Sequence, residues 1–250
     1  MTNEFYQTIF KRKSFHLFRN VGDEKLNNEE LKGIEEAWKG FESLYPDIGT
    51  AIRIVPSSQV SVKQDSEYSI LIYSENKPNY LMNAGYLGEQ LDLYLVKNNI
   101  GSLWYGLGKA DEPEFDGLDY VIMIAVHKVS DESLYRTDMF KAKRKPLEEI
   151  WTGETLGLAE IAGFAPSACN SQPWKVKNED GMICVFRNTK ETKVGIMPPR
   201  VAKYMNRIDI GIFLCILEIC MAEKGIAATR EMFPDDIDFG DSLVALYKVK

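Results

Sequence analysis

The sequence predicts an α+β fold in which two related halves, residues 1–140 and 141–250, pack together as one intertwined unit, an intramolecular pseudo-dimer. Two patterns predict it: an order of helix, strand, long helix and strand that occurs twice, and the apolar periodicity of the two long helices. The composition agrees, because 45% hydrophobic and 27% charged residues are close to the average of globular proteins. A length of 250 residues allows one large domain or two modest ones.

Each half starts with a basic segment and contains two apolar strands. The basic segments, FKRKS at 10–14 and KAKRKP at 141–146, align with an offset of 132 between Arg12 and Arg144. Each match is weak alone, and the residues leave open that any α+β chain offers such coincidences. The predicted strands are YSILIY at 68–73, VIMIAV at 121–126, MICVF at 182–186 and LVALY at 243–247.

A long helix is predicted between the two strands of each half. Asn83-Ala-Gly85 aligns with Asp209-Ile-Gly211 at an offset of 126, and the same offset relates 98–101 to 224–227. The first helix repeats apolar residues at three- and four-residue steps, which predicts one broad apolar face. The second is apolar on nearly all sides between 208 and 220, which predicts a helix buried all round, at the core or between the halves.

Charge and hydropathy exclude several classes of function. The net charge of −7 disfavours nucleic acid and anionic membranes as partners. The most apolar run, 210–217, is far shorter than the roughly 18–20 residues of a membrane span, and no signal peptide is visible, so we expect a cytoplasmic protein. Four cysteines without a C-x-x-C pair, beside two histidines, predict small buried thiols and no metal site.

Three local segments remain as candidates for chemistry, because dinucleotide-binding, P-loop and nucleophile-elbow motifs are absent from the sequence. Two are basic: Arg12-Lys13-Ser14-Phe15-His16, and the run at 141–145. An arginine fork beside a hydroxyl suits a phosphate group, whereas each run alone is more often a solvated stretch. The third, APSACNSQPW at 165–174, follows a helix-like segment at 155–163. It is rich in small and amide residues between prolines, which suits a polar heterocycle, or else is an ordinary connection anchored by Trp174.

These segments together resemble the FMN-dependent nitroreductase family. The loop at 165–174 is similar to that family's A-P-S-x-x-N-x-Q-P-W, and 12–16 to its R-R-S-x-R. RKPLEE at 144–149 and NIGSLW at 99–104 resemble two further family segments. The resemblance covers nearly the whole chain, in the form that fuses two halves. It implies a nitroreductase-like fold whose halves each hold a central helix and a mixed or antiparallel sheet.

The resemblance also implies a set of cofactor-binding residues. Phosphate-binding residues come from the first half with Arg144, and flavin- and ribityl-binding residues from the loop of the second half. The complementary set is degraded, with YPDIGT at 45–50 in place of the loop, so the resemblance implies one composite FMN site in a monomer. The implied residues are Arg12, Lys13, Ser14, His16, Gly106, Leu107, Arg144, Pro166, Ser167, Ala168 and Asn170.

The family's activity is the expected function. It is ping-pong hydride transfer, in which NADH or NADPH reduces FMN and a small-molecule acceptor, a nitroaromatic or a quinone, then reoxidises it. No catalytic side chain is expected, since the flavin does the chemistry. His16 stands where the family has a basic residue near N1–O2 of the flavin, so we expect a lower flavin potential. The alternative is a non-catalytic protein that binds or stores flavin.

Overall fold

The computed structural model describes residues 5–61 and 65–250. The predicted helices and strands occur in the predicted order, with further strands between them. The helices are α1 Tyr6–Lys11, α2 Asn28–Gly40, α3 Tyr80–Lys97, α4 Leu147–Ile150, α5 Ala159–Ala162 and α6 Pro199–Glu223. The strands are β1 Thr50–Pro56, β2 Tyr68–Ser74, β3 Ile100–Tyr105, β4 Glu114–Phe115, β5 Leu118–Lys128, β6 Trp151–Gly153, β7 Trp174–Glu179, β8 Met182–Thr189, β9 Ala228–Met232 and β10 Gly240–Val249.

Two sheets form, each from one part of the chain. The first has the order β1-β2-β5-β3, with β4 beside β5, and all its pairs are antiparallel. The second has the order β6-β7-β8-β10-β9 and is mixed, because β6 pairs in parallel with β7. All four predicted strands are confirmed, and each is longer than its apolar run.

The same topology occurs in both sheets. In the first, β1 and β2 are followed by α3 and then by β3 and β5, with β5 placed beside β2. In the second, β7 and β8 are followed by α6 and then by β9 and β10, with β10 beside β8. The order of strand, strand, long helix, strand and strand is therefore common to the two.

The long helices α3 and α6 cross at two glycines that are related by the 126-residue offset. A Cβ on Gly85 would lie 2.1 Å from the carbonyl oxygen of Ile208, and one on Gly211 would lie 1.9 Å from that of Met82. The two contacts are reciprocal, since residue i of one helix touches the residue equivalent to i − 3 in the other. The backbones approach this closely only because neither glycine has a side chain.

Two predictions about helices differ from the structure. Only α6 was expected to be buried all round, but residues 81–93 of α3 are also all buried, including Asn83, Glu89 and Asp92. Because these buried positions hold polar side chains, the apolar periodicity predicted only one buried face for this helix. The helix-like segment 155–163 shrinks to α5, because Leu156 and Gly157 have left-handed backbones with φ of 51° and 66°.

Membrane spans and cysteine burial were both predicted from the sequence. No helix in the described part of the chain is long and apolar enough to cross a membrane. Cys215 and Cys220 are buried as expected and Cys184 is partly so, but Cys169 is exposed. The expectation of four buried thiols is therefore wrong for Cys169, because it lies in the loop that follows α5.

Candidate cofactor-binding site

A cavity of about 810 Å³ lies between the N-terminal basic segment and the loop after α5. It joins residues that are more than 150 positions apart, from Arg12 to Asn170. Eight of the predicted cofactor-binding residues line it, and its remaining lining residues come from 135–138 and Cys169. The eight are Arg12, Lys13, Ser14, His16, Arg144, Pro166, Ser167 and Asn170.

Arg12 is the buried residue at the base of the cavity's basic wall. Its Nε lies 2.9 Å and its Nη2 2.8 Å from Oδ2 of Asp92 on α3, and its Nη1 donates to Ser14 Oγ at 3.4 Å. Asp92 also accepts from Ser102 and, at 2.9 Å, from the indole N–H of Trp104. Burial acts to lower the pKa of Arg12, but Asp92 and then Glu89 raise it above its ordinary value. Arg12 is therefore held rigidly as a cation, with its fork directed at Asp92.

Arg144 links the basic wall to the opposite loop. Its guanidinium donates to Asn170 Oδ1 at 3.2 Å and to the carbonyl oxygen of Phe164 at 2.9 Å. Its Nε is buried and has no hydrogen-bond partner among residues 5–61 and 65–250. Burial, followed by the positive charges of Arg136 and Arg12, lowers the pKa of Arg144 to about 10.

The cations of the cavity repel one another. Burial and then Arg12 lower the pKa of Arg136, and burial and then Arg136 lower the pKa of Lys13. Four cationic residues thus line one cavity, while its acidic lining residue is Asp138 and Asp92 compensates Arg12 from behind. An anion placed there would relieve this repulsion, because opposite charges at short range favour the charged forms of both groups.

The opposite wall is loop 166–172, whose backbone is unusual. Cys169, Asn170 and Gln172 have left-handed φ values of 51°, 52° and 46°. Each such residue without glycine's freedom costs on the order of 1 kcal/mol or more, so other bonds must hold the loop. Gln172 N donates to Ser167 Oγ at 3.0 Å, and Gln172 Oε1 accepts from Lys145 N at 2.9 Å.

The end of the loop is fixed in the core. Trp174 is 1% exposed and stacks on Phe213 of α6 with ring centroids 4.9 Å apart. The interpretation of Trp174 as a core anchor is thus confirmed. A rigid anchor on one side and Arg144 on the other hold the polar edge of the loop towards the cavity.

Three predicted residues are not among the cavity's lining residues. Ala168 belongs to the loop but directs its N–H to Asp209, at 3.0 Å. Gly106 and Leu107 follow β3, and both are exposed; a Cβ on Gly106 would lie 3.0 Å from Met205 of α6. Gly106 therefore lies beside α6, and the structure does not bring it or Leu107 into the cavity wall.

Sequence reasoning missed the segment Tyr135–Asp138, which also lines the cavity. Arg136 N donates to the carbonyl oxygen of Lys11 at 3.0 Å, which places this segment against the N-terminal basic residues. Tyr135 packs edge-on against Phe15 with centroids 5.3 Å apart. The signal available in the sequence was an arginine just before the run at 141–145, but only the chain path shows that it faces Arg12.

The residues present suit a cofactor with a phosphate at one end and a polar flat group at the other. The buried, unpartnered Nε of Arg144 and the repelling cations suit a phosphate. The amide and hydroxyl groups of Asn170 and Ser167 suit a polyol and a heterocycle. These are the polar groups of FMN, so the cavity fits that cofactor. The described residues contain no cluster of three His, Cys, Asp or Glu side chains that could hold a metal ion.

Solved structures show which proteins share this fold. A putative nitroreductase from Thermotoga maritima superposes with a TM-score of 0.64 at 18% identity, over 98% of this chain and 93% of that chain. This score shows a shared nitroreductase-like α+β fold. A nitroreductase family protein from Clostridium difficile has a TM-score of 0.45 at 14% identity, over 60% of this chain and 96% of its own.

A putative nitroreductase from Desulfovibrio desulfuricans, solved in complex with FMN, has a TM-score of 0.41 at 17% identity, over 60% of this chain and 95% of its own. No curated protein matches the sequence. The family model described as "Putative TM nitroreductase" matches residues 4–221. Since that match spans most of the chain, the protein belongs to this nitroreductase family.

Proposed function

We propose that the protein is an FMN-dependent NAD(P)H oxidoreductase that reduces nitroaromatic or quinone-type acceptors by ping-pong hydride transfer. One observation carries the proposal: a cluster of four cations and the polar loop 166–172 face each other across one cavity. Membership of the nitroreductase family supports the reaction class.

Each wall of the cavity has its own task in this proposal. Arg144, Arg136 and Lys13 bind the phosphate. Arg12, hydrogen-bonded to Ser14, is the rigid cation beside them. Asn170 and Ser167 hold the polar edge of the cofactor. Bound FMN would supply hydride transfer from NADH or NADPH and on to the acceptor. We assign to His16 a single hydrogen bond to the reduced cofactor, weaker than the bond of a permanent cation.

One composite site per chain is part of the proposal, and so is a duplication that relates residues 1–140 and 141–250. The shared topology and the reciprocal contacts of Gly85 and Gly211 support the duplication. At an offset of 126 the counterpart of Asp92 is Glu218, which binds Arg230 at 2.6 Å and also accepts from Tyr86 and Tyr247. Glu218 is therefore bonded to two buried tyrosines and to the exposed Arg230, which does not line the cavity described above.

The test of this function is a flavin titration followed by reduction. The purified protein is freed of flavin, reloaded with FMN, and mixed with NADPH or NADH without oxygen. Bleaching of the flavin absorbance, and its return on adding a quinone, is the expected result. Retained FMN that neither nucleotide bleaches would indicate a flavin store instead. A protein that does not bind FMN refutes the proposal.

The number of sites is measured in the same titration. One FMN per chain is expected, with the variant Arg144→Gln binding weakly. Two FMN per chain would contradict the composite site. Sedimentation of the loaded protein checks the expectation of a monomer, since each chain supplies both walls of its cavity.

A further inference from the structure

We propose that Asp209 is the positioning residue that holds loop 166–172 in its cofactor-binding conformation, and that the negative charge of its carboxylate is needed for this. The inference rests on the proposed FMN site, but assigns a role to a residue that does not line the cavity. Asp209 lies in α6 and is 3% exposed.

Asp209 contacts the strained part of the loop from the side of α6. Its Oδ1 accepts from the backbone N–H of Ala168 at 3.0 Å, and its Oδ2 accepts from Ser171 Oγ at 3.1 Å. These two donors flank Cys169 and Asn170, two of the three loop residues with left-handed backbone. Hydrogen bonds to a charged acceptor are roughly twice as strong as neutral ones, so the carboxylate is the strongest restraint on this pair from the core side.

The first half contains a natural comparison at the equivalent position. Asn83, related to Asp209 by the offset of 126, bonds residues 43–45, where the segment 45–50 that replaces the loop begins. Its Oδ1 alone accepts from Leu44 N at 3.0 Å, Tyr45 N at 3.2 Å and Ser43 Oγ at 2.8 Å. Its Nδ2 is buried without a hydrogen-bond partner in the described part of the chain. The carboxylate thus bonds the loop that faces the cavity, and a neutral amide bonds the start of the segment that replaces it in the first half.

A buried polar chain continues from Asp209 into the core. Asn206, one turn earlier in α6, lies 3.3 Å from Ser171 Oγ and donates to Thr189 Oγ1 at 3.2 Å. Thr189 in turn accepts from Arg187, which pairs with Asp235 at 2.6 Å. Each of the side chains in this buried polar network is neutral or already paired, so none of them supplies a counter-ion for Asp209.

The surroundings make the charge of Asp209 sensitive to pH near neutrality. Burial raises the pKa of Asp209 to about 7, against the lowering effect of the Ala168 and Ser171 bonds. The crossing helix α3 presents Met82, Gly85 and Tyr86 at this level, and the Tyr86 hydroxyl is engaged by Glu218. The titratable or charged groups on the cavity side are Arg12, Lys13, His16, Tyr135, Arg136, Asp138, Arg144 and Cys169.

The test compares Asp209→Asn with the wild type in FMN affinity as a function of pH. The variant keeps the shape and the Oδ1 acceptor, as Asn83 does in the first half. At pH ~8 we expect FMN binding to the variant to be about ten-fold weaker, because a charged bond becomes neutral. At pH ~6 the two should agree to within about two-fold, since the wild-type carboxyl is then protonated. The cofactor phosphate and the cavity groups titrate in both proteins, so the ratio of dissociation constants isolates Asp209.

The matched control is Asn83→Ala, which removes the equivalent acceptor of the bonds from residues 43–45. It should lower the melting temperature without changing FMN affinity at either pH. A ratio for Asp209→Asn that does not change with pH overturns the proposal, and so does an equal loss of affinity in Asn83→Ala.

A second measurement needs no cofactor. Hydrogen exchange of the Ala168 amide in the flavin-free protein should be about ten-fold faster in Asp209→Asn at pH ~8, and equal to wild type at pH ~6. If the wild type does not bind FMN, the proposed function fails and this exchange still decides the role of Asp209. Equal exchange in both proteins at pH ~8 refutes it.

Discussion

Replacing Glu89 with Gln is expected to stabilise the protein by an amount that grows with pH. Glu89 lies in α3 and is fully buried, and neither carboxyl oxygen has a hydrogen-bond partner among the described residues. Burial and then the charge of Asp92 raise the pKa of Glu89 well above 4.5, and Arg12 and then the side chain of Trp104 oppose this only in part. The folded protein therefore keeps a proton that the unfolded chain releases.

The magnitude follows from proton linkage. Because the folded pKa of Glu89 is the higher one, its contribution to stability is fully present below the unfolded pKa and is lost as pH rises towards the folded pKa. Within that window the wild type loses about 1.4 kcal/mol of unfolding free energy per pH unit through this group. Gln has nearly the same volume and no proton to release, so Glu89→Gln lacks this slope.

Urea unfolding at a series of pH values measures the effect. The two proteins should be about equally stable near pH ~4, and the variant should gain about 1.4 kcal/mol over the wild type between pH ~5 and ~6. Glu148→Gln, at an exposed position, controls for the loss of one formal charge. Stability curves that run parallel would show that the pKa of Glu89 is the same in the folded and unfolded protein and would refute the reasoning.

Three more predictions concern the helix crossing and the cavity. Gly211→Ala should destabilise the protein by about 3 kcal/mol or more in urea unfolding, because its Cβ would lie 1.9 Å from the Met82 carbonyl oxygen, whereas Gly40→Ala, with no atom within 4 Å, should be neutral or slightly stabilising. Arg144→Gln should weaken FMN about 10–100-fold in a fluorescence titration and riboflavin clearly less, because Arg144 also bonds Asn170 of the loop, and an equal loss for both would contradict a phosphate role. His16→Arg should raise the flavin potential in a redox titration, and an unchanged potential would contradict the role given to His16.

The two long helices and four of the strands were predictable because their signals are local. The four apolar runs became β2, β5, β8 and β10, and the long helices became α3 and α6. The short or irregular elements were not predictable. β6 is a strand only because it pairs in parallel with β7, and 155–163 loses its first turns to left-handed Leu156 and Gly157.

The cavity was predictable to the extent that its residues fall in recognisable motifs. Arg12, Ser14, Arg144 and Asn170 were expected together, and the structure brings them to one cavity. Asp92, which holds Arg12, carried no signal, because a carboxylate inside an apolar helix looks like a break in periodicity. Its importance comes from complete burial, a property of the packing of α3 and not of the local sequence.

By itself, the sequence determined the order of elements, the pairing of motifs and the family resemblance, since these depend on residue types and spacings along the chain. Only the tertiary structure decided which charges are compensated and which are not. It shows that Asp92 occupies the fork of Arg12, that Arg136 joins the cations, and that Asp209 supports the loop from the core. The physical reason is that the pKa and hydrogen bonding of a group are set by burial and by neighbours distant in sequence.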